Sequence, residues 1–227
     1  MSPSTSLRTG LQLFAHPFSS YCQKVLIALW ADGTPFEYRM LDEAHPDNFA
    51  ELERHWPFRQ FPVLLDDGRA VIETTCIIEH LQAHHRGSNL WIPDGEDGRR
   101  VRFLDRFFDL YVMNSMTVPV FDALRPEGVL PDAYGVERAM ARLRTAYDWL
   151  ETNLGDGPWA IGERFTLADC AAAPSLFYAD WVEEIGSGRP RLAAYRARLL
   201  AHPMVARAVD EGRPYREYFP LGAPDRD

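Results

Sequence analysis

Hydrophobic and polar positions follow different rhythms in the two halves of the chain. Ahead of Arg86 the sequence switches repeatedly between short apolar runs and helical spacing. Leu11–Ala15 (LQLFA) is an apolar run of strand length. The run Gln23–Ala31 is helix-forming and stops at Asp32-Gly33, a turn signal. Pro35–Leu41 (PFEYRML) has the alternating character of a second strand, and His45–Glu53 reads as a short helix. Phe61–Leu65 and Ala70–Ile72 flank Asp66-Asp67-Gly68, which predicts a hairpin closed by an Asp-Gly turn. Thr74, Ile77, Ile78 and Leu81 then recur at helical spacing. The predicted order of this half is βαβαββα.

The stretch Arg86–Gly98 carries glycines, a proline and acids, and reads as a linker from residue 87 to 98 between domains 1–86 and 99–227. Beyond it the period is helical. Val101, Leu104, Phe108 and Tyr111 form one apolar stripe; Val136, Met140, Leu143, Tyr147 and Leu150 form a second. A third comprises Leu167, Ala171, Pro174, Tyr178 and Trp181, with Pro174 expected to kink its helix. These stripes are read as the core of an all-α domain. In FTLADC, Thr166 with Asp169 three residues on has the form of a capping box. The tail Pro214–Asp227 shows no helical period.

Composition narrows the function classes. A net charge of −9 argues against a general affinity for nucleic acid or anionic membrane. The basic run Arg99, Arg100, Arg102, Arg106 reads as a solvated helix face. Three cysteines, Cys22, Cys76 and Cys170, stand far apart without a CxxC pair, which fits a reducing compartment better than a disulfide scaffold. The first residues, MSPSTSLRTG, lack the apolar segment of a secretory leader, and the expected location is cytoplasmic. Lys24 is the only lysine.

Chemistry is concentrated where strands hand over to helices. In HPFSSYCQK (His16–Lys24), Ser19 and Ser20 stand just ahead of a helix. Either places a hydroxyl beside helix N–H groups, a combination that favours a bound anion such as a thiolate; either could instead simply cap the helix. His80 and His84 lie one turn apart with no acid or cysteine partner evident in the sequence, so no metal site is expected there. No GxGxxG or phosphate-binding P-loop occurs. Cys22 reads as a buried packing residue.

Four segments in order resemble the glutathione transferases over nearly the whole chain. SSYCQKVLIAL (Ser19–Leu29) looks like the active-site helix of the cytosolic serine-type, bacterial and zeta-like classes. RQFPVL carries Phe61-Pro62 like the family's cis-proline turn. IETTCIIEHL (Ile72–Leu81) is similar to its Glu-Ser strand-to-helix motif, with Thr74 in place of serine. GERFTLADC (Gly162–Cys170) matches the helical domain. The resemblance implies a thioredoxin-like α/β domain that binds glutathione as co-substrate, without metal, and an all-helical domain that shapes an electrophile pocket.

It further implies a cytoplasmic homodimer acting in detoxification, by conjugation or by glutathione-dependent peroxide reduction. Counting back from Lys24 favours Ser19 as the thiol-activating residue, with Ser20 next and Tyr21 third. Phe18, Phe61, Pro62, Glu73 and Thr74 are the expected glutathione-binding residues; His45 is a further candidate for the glycyl carboxylate but reads first as a surface histidine. Pocket walls are expected from Phe18, Tyr111, Asn114, Tyr215, Tyr218 and Phe219, by chain position. Tyr21 and Gln23 replace a cysteine and a tryptophan of the zeta-like isomerases, which weakens an isomerase assignment. The alternative is a protein of the same fold that binds a ligand or partner without catalysis. Thiol–disulfide exchange through Cys22 is a third option and requires an exposed, acidic thiol.

Overall fold

The computed structural model describes residues 10–85 and 87–227. Residues 1–9, read above for a leader, and Arg86, read as the edge of the first domain, lie outside the described residues. Four strands, β1 (Leu11–Ala15), β2 (Glu37–Met40), β3 (Val63–Asp66) and β4 (Arg69–Ile72), form one mixed sheet in the order β2-β1-β3-β4. β1 pairs in parallel with β2, while β3 is antiparallel to both β1 and β4. Three helices complete this half: α1 (Ser20–Ala31), α2 (Pro46–His55) and α3 (Thr74–His84). The predicted βαβαββα order is therefore present.

Strand periodicity decides what each face buries. Leu11, Leu13 and Ala15 join the large core with α1 and α3, whereas Phe14, between them, joins Leu41, Leu52, Val63 and Leu65 on the face covered by α2. The hairpin turns at Asp67 (φ 48°) and Gly68 (φ 82°), two successive left-handed residues of the kind a tight Asp-Gly turn requires.

α1 has no wet face. Every residue from Cys22 to Leu29 is buried, because α1 is enclosed by the sheet, α3 and two helices of the second half. Its two polar members must then find partners inside. Gln23 Nε2 donates to the Pro17 carbonyl at 2.9 Å and to the Tyr178 hydroxyl at 3.2 Å. Lys24 pairs with Asp105 and Asp109.

The second half consists of α4 (Gly95–Phe107), α5 (Asn114–Ala123), α6 (Ala133–Asn153), α7 (Leu167–Val182), α8 (Pro190–Ala201) and α9 (Pro203–Gly212). α7 is its axis, with every residue from Leu167 to Trp181 buried and the helix running through Pro174. Asp169 anchors the start of α7: Oδ2 accepts from the Thr166 backbone N–H at 2.8 Å, and Oδ1 from the Ala160 N–H at 2.8 Å and the Tyr195 hydroxyl at 2.7 Å. Thr166 and Asp169 form the expected capping box.

Three details depart from the sequence reading. α4 starts at Gly95, so the last four residues of the expected linker are helical. The rest of that stretch is pinned, since the Trp91 indole is fully buried and donates to Asp32 at 2.7 Å. Second, a π-helical turn over Phe108–Met113 joins α4 to α5. The wider turn shifts the helical phase, so Val112 enters the core and Tyr111, expected there, is exposed. Third, the tail begins with a short 3₁₀ turn, Arg213–Tyr218, that extends α9. No helix among the described residues is long and apolar enough to cross a membrane.

Candidate functional site

The chain leaves β1 at Ala15 and turns through His16-Pro17-Phe18 into α1. Ser19 is the N-cap, with extended backbone (φ −81°, ψ 122°), and its Oγ accepts from the Cys22 N–H at 3.3 Å. A serine hydroxyl has one donor and two acceptor positions. Capping uses an acceptor and leaves the O–H free to donate outward. The capping and ligand-facing readings of Ser19 are thus compatible.

Ser19 opens onto a cavity of about 480 Å³ between the two halves. The opposite wall is the start of α3. Glu73 is its N-cap with φ 71°, a left-handed conformation that costs a non-glycine residue on the order of 1–3 kcal/mol and marks sites where surrounding structure enforces it. Thr74, the first residue of α3, is buried and lines the cavity. Phe61 and Pro62, joined by a cis peptide bond, form the third side where the chain enters β3. Two helix N-termini, those of α1 and α3, therefore meet at one cavity, and each presents N–H groups without intrahelical partners.

The helical half closes the cavity with Arg106, Asp109, Leu110, Asn114 and Phe121, and the α2–β3 loop adds Trp56, Arg59 and Gln60. Tyr21 also lines it. Burial, with the negative charges of Asp109 and Glu73, raises the Tyr21 phenol above its ordinary range, so it remains a neutral hydrogen-bonding group.

A buried charge network lies behind the cavity. Lys24 Nζ sits 2.5 Å from Asp105 Oδ1 and 3.0 Å from Asp109 Oδ2, and the Lys24 side chain is 1% exposed. Thr75 Oγ1 donates to the other Asp105 oxygen at 2.6 Å. The network thus connects α1, α3, α4 and the π-helical turn. Burial raises the Asp109 carboxyl above its usual range, with the adjacent Lys24 opposing the shift.

Of the seven residues expected at the site, Ser19, Phe61, Pro62, Glu73 and Thr74 share the cavity. Ser20 and Phe18 are not among its lining residues. Ser20 is the first residue of α1, one position past the cap. The Phe18 ring packs edge-on against Tyr178, its N–H donates to His16 Nδ1 at 3.2 Å, and its carbonyl accepts from Tyr178 at 2.9 Å. Phe18 is thereby committed to holding the two halves together. His45 is bonded to Asp42, with its side chain about half exposed.

Of the expected pocket walls, Asn114 lines the cavity. Tyr215 packs on His16, Phe219 is buried against Trp181, and neither they nor Tyr111 and Tyr218 line the cavity. Cys22 is fully buried and its thiol is pushed up to about 12 by that burial, which removes thiol–disulfide exchange through it from consideration. All three cysteines are free.

Sequence reasoning missed Trp56, Arg59, Gln60, Arg106, Asp109, Leu110 and Phe121. Arg106, on the solvated face that the basic run predicts, is exposed and also lines the cavity. The histidine reading also changes. His80 does have an acidic partner: His80 and His85 both bond to Asp66 Oδ2 at 2.8 Å, while the His84 ring lies tilted beside His80.

Comparison with known families decides the identity of this architecture. Residues 13–89 match the N-terminal domain of glutathione S-transferases and residues 133–198 match their C-terminal domain. The chain belongs to the glutathione S-transferase family. Human glutathione S-transferase theta-2 is 29% identical over 201 residues, covering 85% of this chain and 81% of the relative. Glutathione S-transferase F6 of Arabidopsis thaliana is 26% identical, covering 88% and 99%. A solved glutathione S-transferase of Methylobacterium radiotolerans, in complex with glutathione sulfonate, superposes with a TM-score of 0.75 at 29% identity, covering 88% of this chain and 94% of its own. The thioredoxin-like plus all-helical transferase fold follows, and with it a glutathione-binding function of the general transferase type.

Proposed function

We propose that the protein activates the thiol of glutathione for attack on an apolar electrophile, by conjugation or by peroxide reduction. The observation that carries this reading is the meeting of the Ser19 hydroxyl with the N-termini of α1 and α3 at one cavity. A free thiol has a pKa of about 8.5, so only a few per cent is ionised near neutral pH. A hydroxyl donating to sulfur, together with a helix N-terminus, favours the thiolate.

In the proposed reaction the thiol proton leaves to solvent and Ser19 donates a hydrogen bond to the resulting sulfur anion. The sulfur lone pair forms the new bond to the electrophile, whose leaving group departs with its electron pair. With a peroxide, sulfur attacks oxygen, the O–O bond breaks, and a second glutathione completes the disulfide. No bond to the protein forms in either case. The Phe61 backbone would pair with the cysteinyl backbone like one rung of an added strand. Thr74 and the α3 N–H groups would hold the α-carboxylate of the γ-glutamyl group, and Glu73 its ammonium. Leu110, Asn114 and Phe121 form the wall available to the electrophile. Family membership supports a two-fold homodimer in the cytoplasm as the working form.

The test separates binding from chemistry. Thr74→Val keeps shape and removes one hydroxyl aimed at a bound charge. It is expected to raise KM for glutathione about tenfold while largely preserving kcat, as loss of one charge-assisted hydrogen bond predicts. An unchanged KM in a protein that turns over glutathione with a panel of small electrophiles and hydroperoxides contradicts this placement of the γ-glutamyl group.

A further inference from the structure

At the far end of α3 from the glutathione cavity, Asp66, His80 and His85 bring one carboxylate and two imidazoles together. Asp66 closes β3 at the hairpin turn, His80 lies in the last turns of α3, and His85 follows its end. Both Nε2 atoms are 2.8 Å from the same Asp66 oxygen, and one donor atom from each of the three lies within 4.8 Å of the others. The His80 and Asp66 side chains are 16% and 18% exposed and that of His85 29% exposed, so the cluster is largely withdrawn from bulk water yet open on one side.

We propose that Asp66, His80 and His85 form a binding site for a divalent transition ion of the Zn²⁺ class. Two imidazole nitrogens and one carboxylate oxygen are a borderline-soft donor set suited to zinc, and three protein ligands leave a fourth tetrahedral position for water. Zinc–donor bonds of about 2.0–2.2 Å put tetrahedral donors about 3.3–3.6 Å apart. Each histidine would retreat from Asp66 by about 0.5–0.8 Å, and the two imidazole nitrogens, within 4.8 Å of each other, would settle at the same spacing. An exchange of hydrogen bonds for metal bonds at Nε2 requires the N–H to sit on Nδ1 in both rings.

The Asp66 carboxyl is already suited to a cation. Both imidazole Nε2 atoms converge on one of its oxygens. The ion would tie the hairpin turn to the C-terminus of α3. At about 1.5 Å of rise per residue, His80 lies about 9 Å and His85 about 16 Å along the axis from Thr74. The ion therefore takes no part in glutathione chemistry and acts as a staple on the element that carries Glu73 and Thr74.

The test uses the full-length protein, freed of any affinity tag and treated with a chelator, then titrated with Zn²⁺ by calorimetry and with Co²⁺ by visible absorption. The expected result is a single saturable equivalent and the intense bands of tetrahedral Co²⁺. Loss of one ligand in either His80→Ala or His85→Ala should weaken binding by more than about 100-fold, beyond the usual effect of a supporting outer residue. Cys76→Ser, which alters the exposed thiol one turn away on α3, should leave the affinity unchanged. In the wild type, the ¹⁵N signals of both imidazoles should move to the Nδ1–H, Nε2-metal pattern, a reading that does not depend on the variants folding. Absence of one-equivalent binding, an octahedral Co²⁺ spectrum, or affinity that survives loss of either histidine would overturn the assignment.

Discussion

Lys24→Met is expected to cost about 3–5 kcal/mol of folding stability, the largest loss of any single substitution on α1. The substitution roughly preserves side-chain volume in a fully enclosed helix, so little of the effect comes from packing. It removes the only ammonium from beside Asp105 and Asp109, leaving two carboxylates close together in a site with almost no water. The pH dependence follows from the direction of the Asp109 shift. A carboxyl whose pKa is raised on folding is most favourable to the fold below its ordinary value of 3.8 and less so as pH rises through the raised value. Removing Lys24 raises it further, so the deficit of the variant should be smallest in acid and grow toward neutral pH. Combining Lys24→Met with Asp105→Asn and Asp109→Asn should recover more than half of the loss, because the stranded charges go with their partner. Urea unfolding at two pH values measures all of this; a loss below about 1 kcal/mol at neutral pH, typical of exposed pairs, would contradict the buried network.

Ser19→Ala is expected to lower kcat and kcat/KM for glutathione conjugation by about 10²–10³-fold, with KM for glutathione nearly unchanged. In the proposed reaction the hydroxyl donates to charge that appears on sulfur only when the thiol ionises, so its loss would fall on the chemical step. The same change removes the α1 cap and should cost about 1 kcal/mol of stability, a loss far too small to explain the rate. Ser19→Thr keeps the hydroxyl and should restore much of the activity. Ser20→Ala should stay within about twofold of wild type. Full activity in Ser19→Ala, or a large loss confined to Ser20→Ala, moves the role away from Ser19.

How far the sequence could be read depended on whether a feature was local. The hairpin was legible because alternation and the Asp67-Gly68 pair encode it within a few residues. That Ser19, Phe61-Pro62 and Glu73-Thr74 meet at one cavity follows from a related reason, since each marks a local backbone switch at the end of a strand or start of a helix. Tyr111 was misplaced because the π-helical turn at Phe108–Met113 breaks the period that placed it in the core. Phe18 was misjudged because its direction is set by Tyr178, distant in sequence, which claims both its ring and its carbonyl. Asp109 and Asn114 reach the cavity because Lys24 of α1 ties down Asp105 and Asp109, and the π-helical turn carries the chain on into α5. His85 escaped notice because it leaves the helical register after His84 and meets Asp66 across the hairpin turn.

The central claim is that this cavity makes a thiolate. The most direct measurement is the ultraviolet thiolate absorbance of glutathione bound to the wild-type protein, titrated with pH. A bound thiol that ionises at least one pH unit below the free value of about 8.5, with the shift lost in Ser19→Ala, is the predicted result. Glutathione that binds with an unshifted thiol would contradict activation at this site and assign the fold here to ligand binding without catalysis.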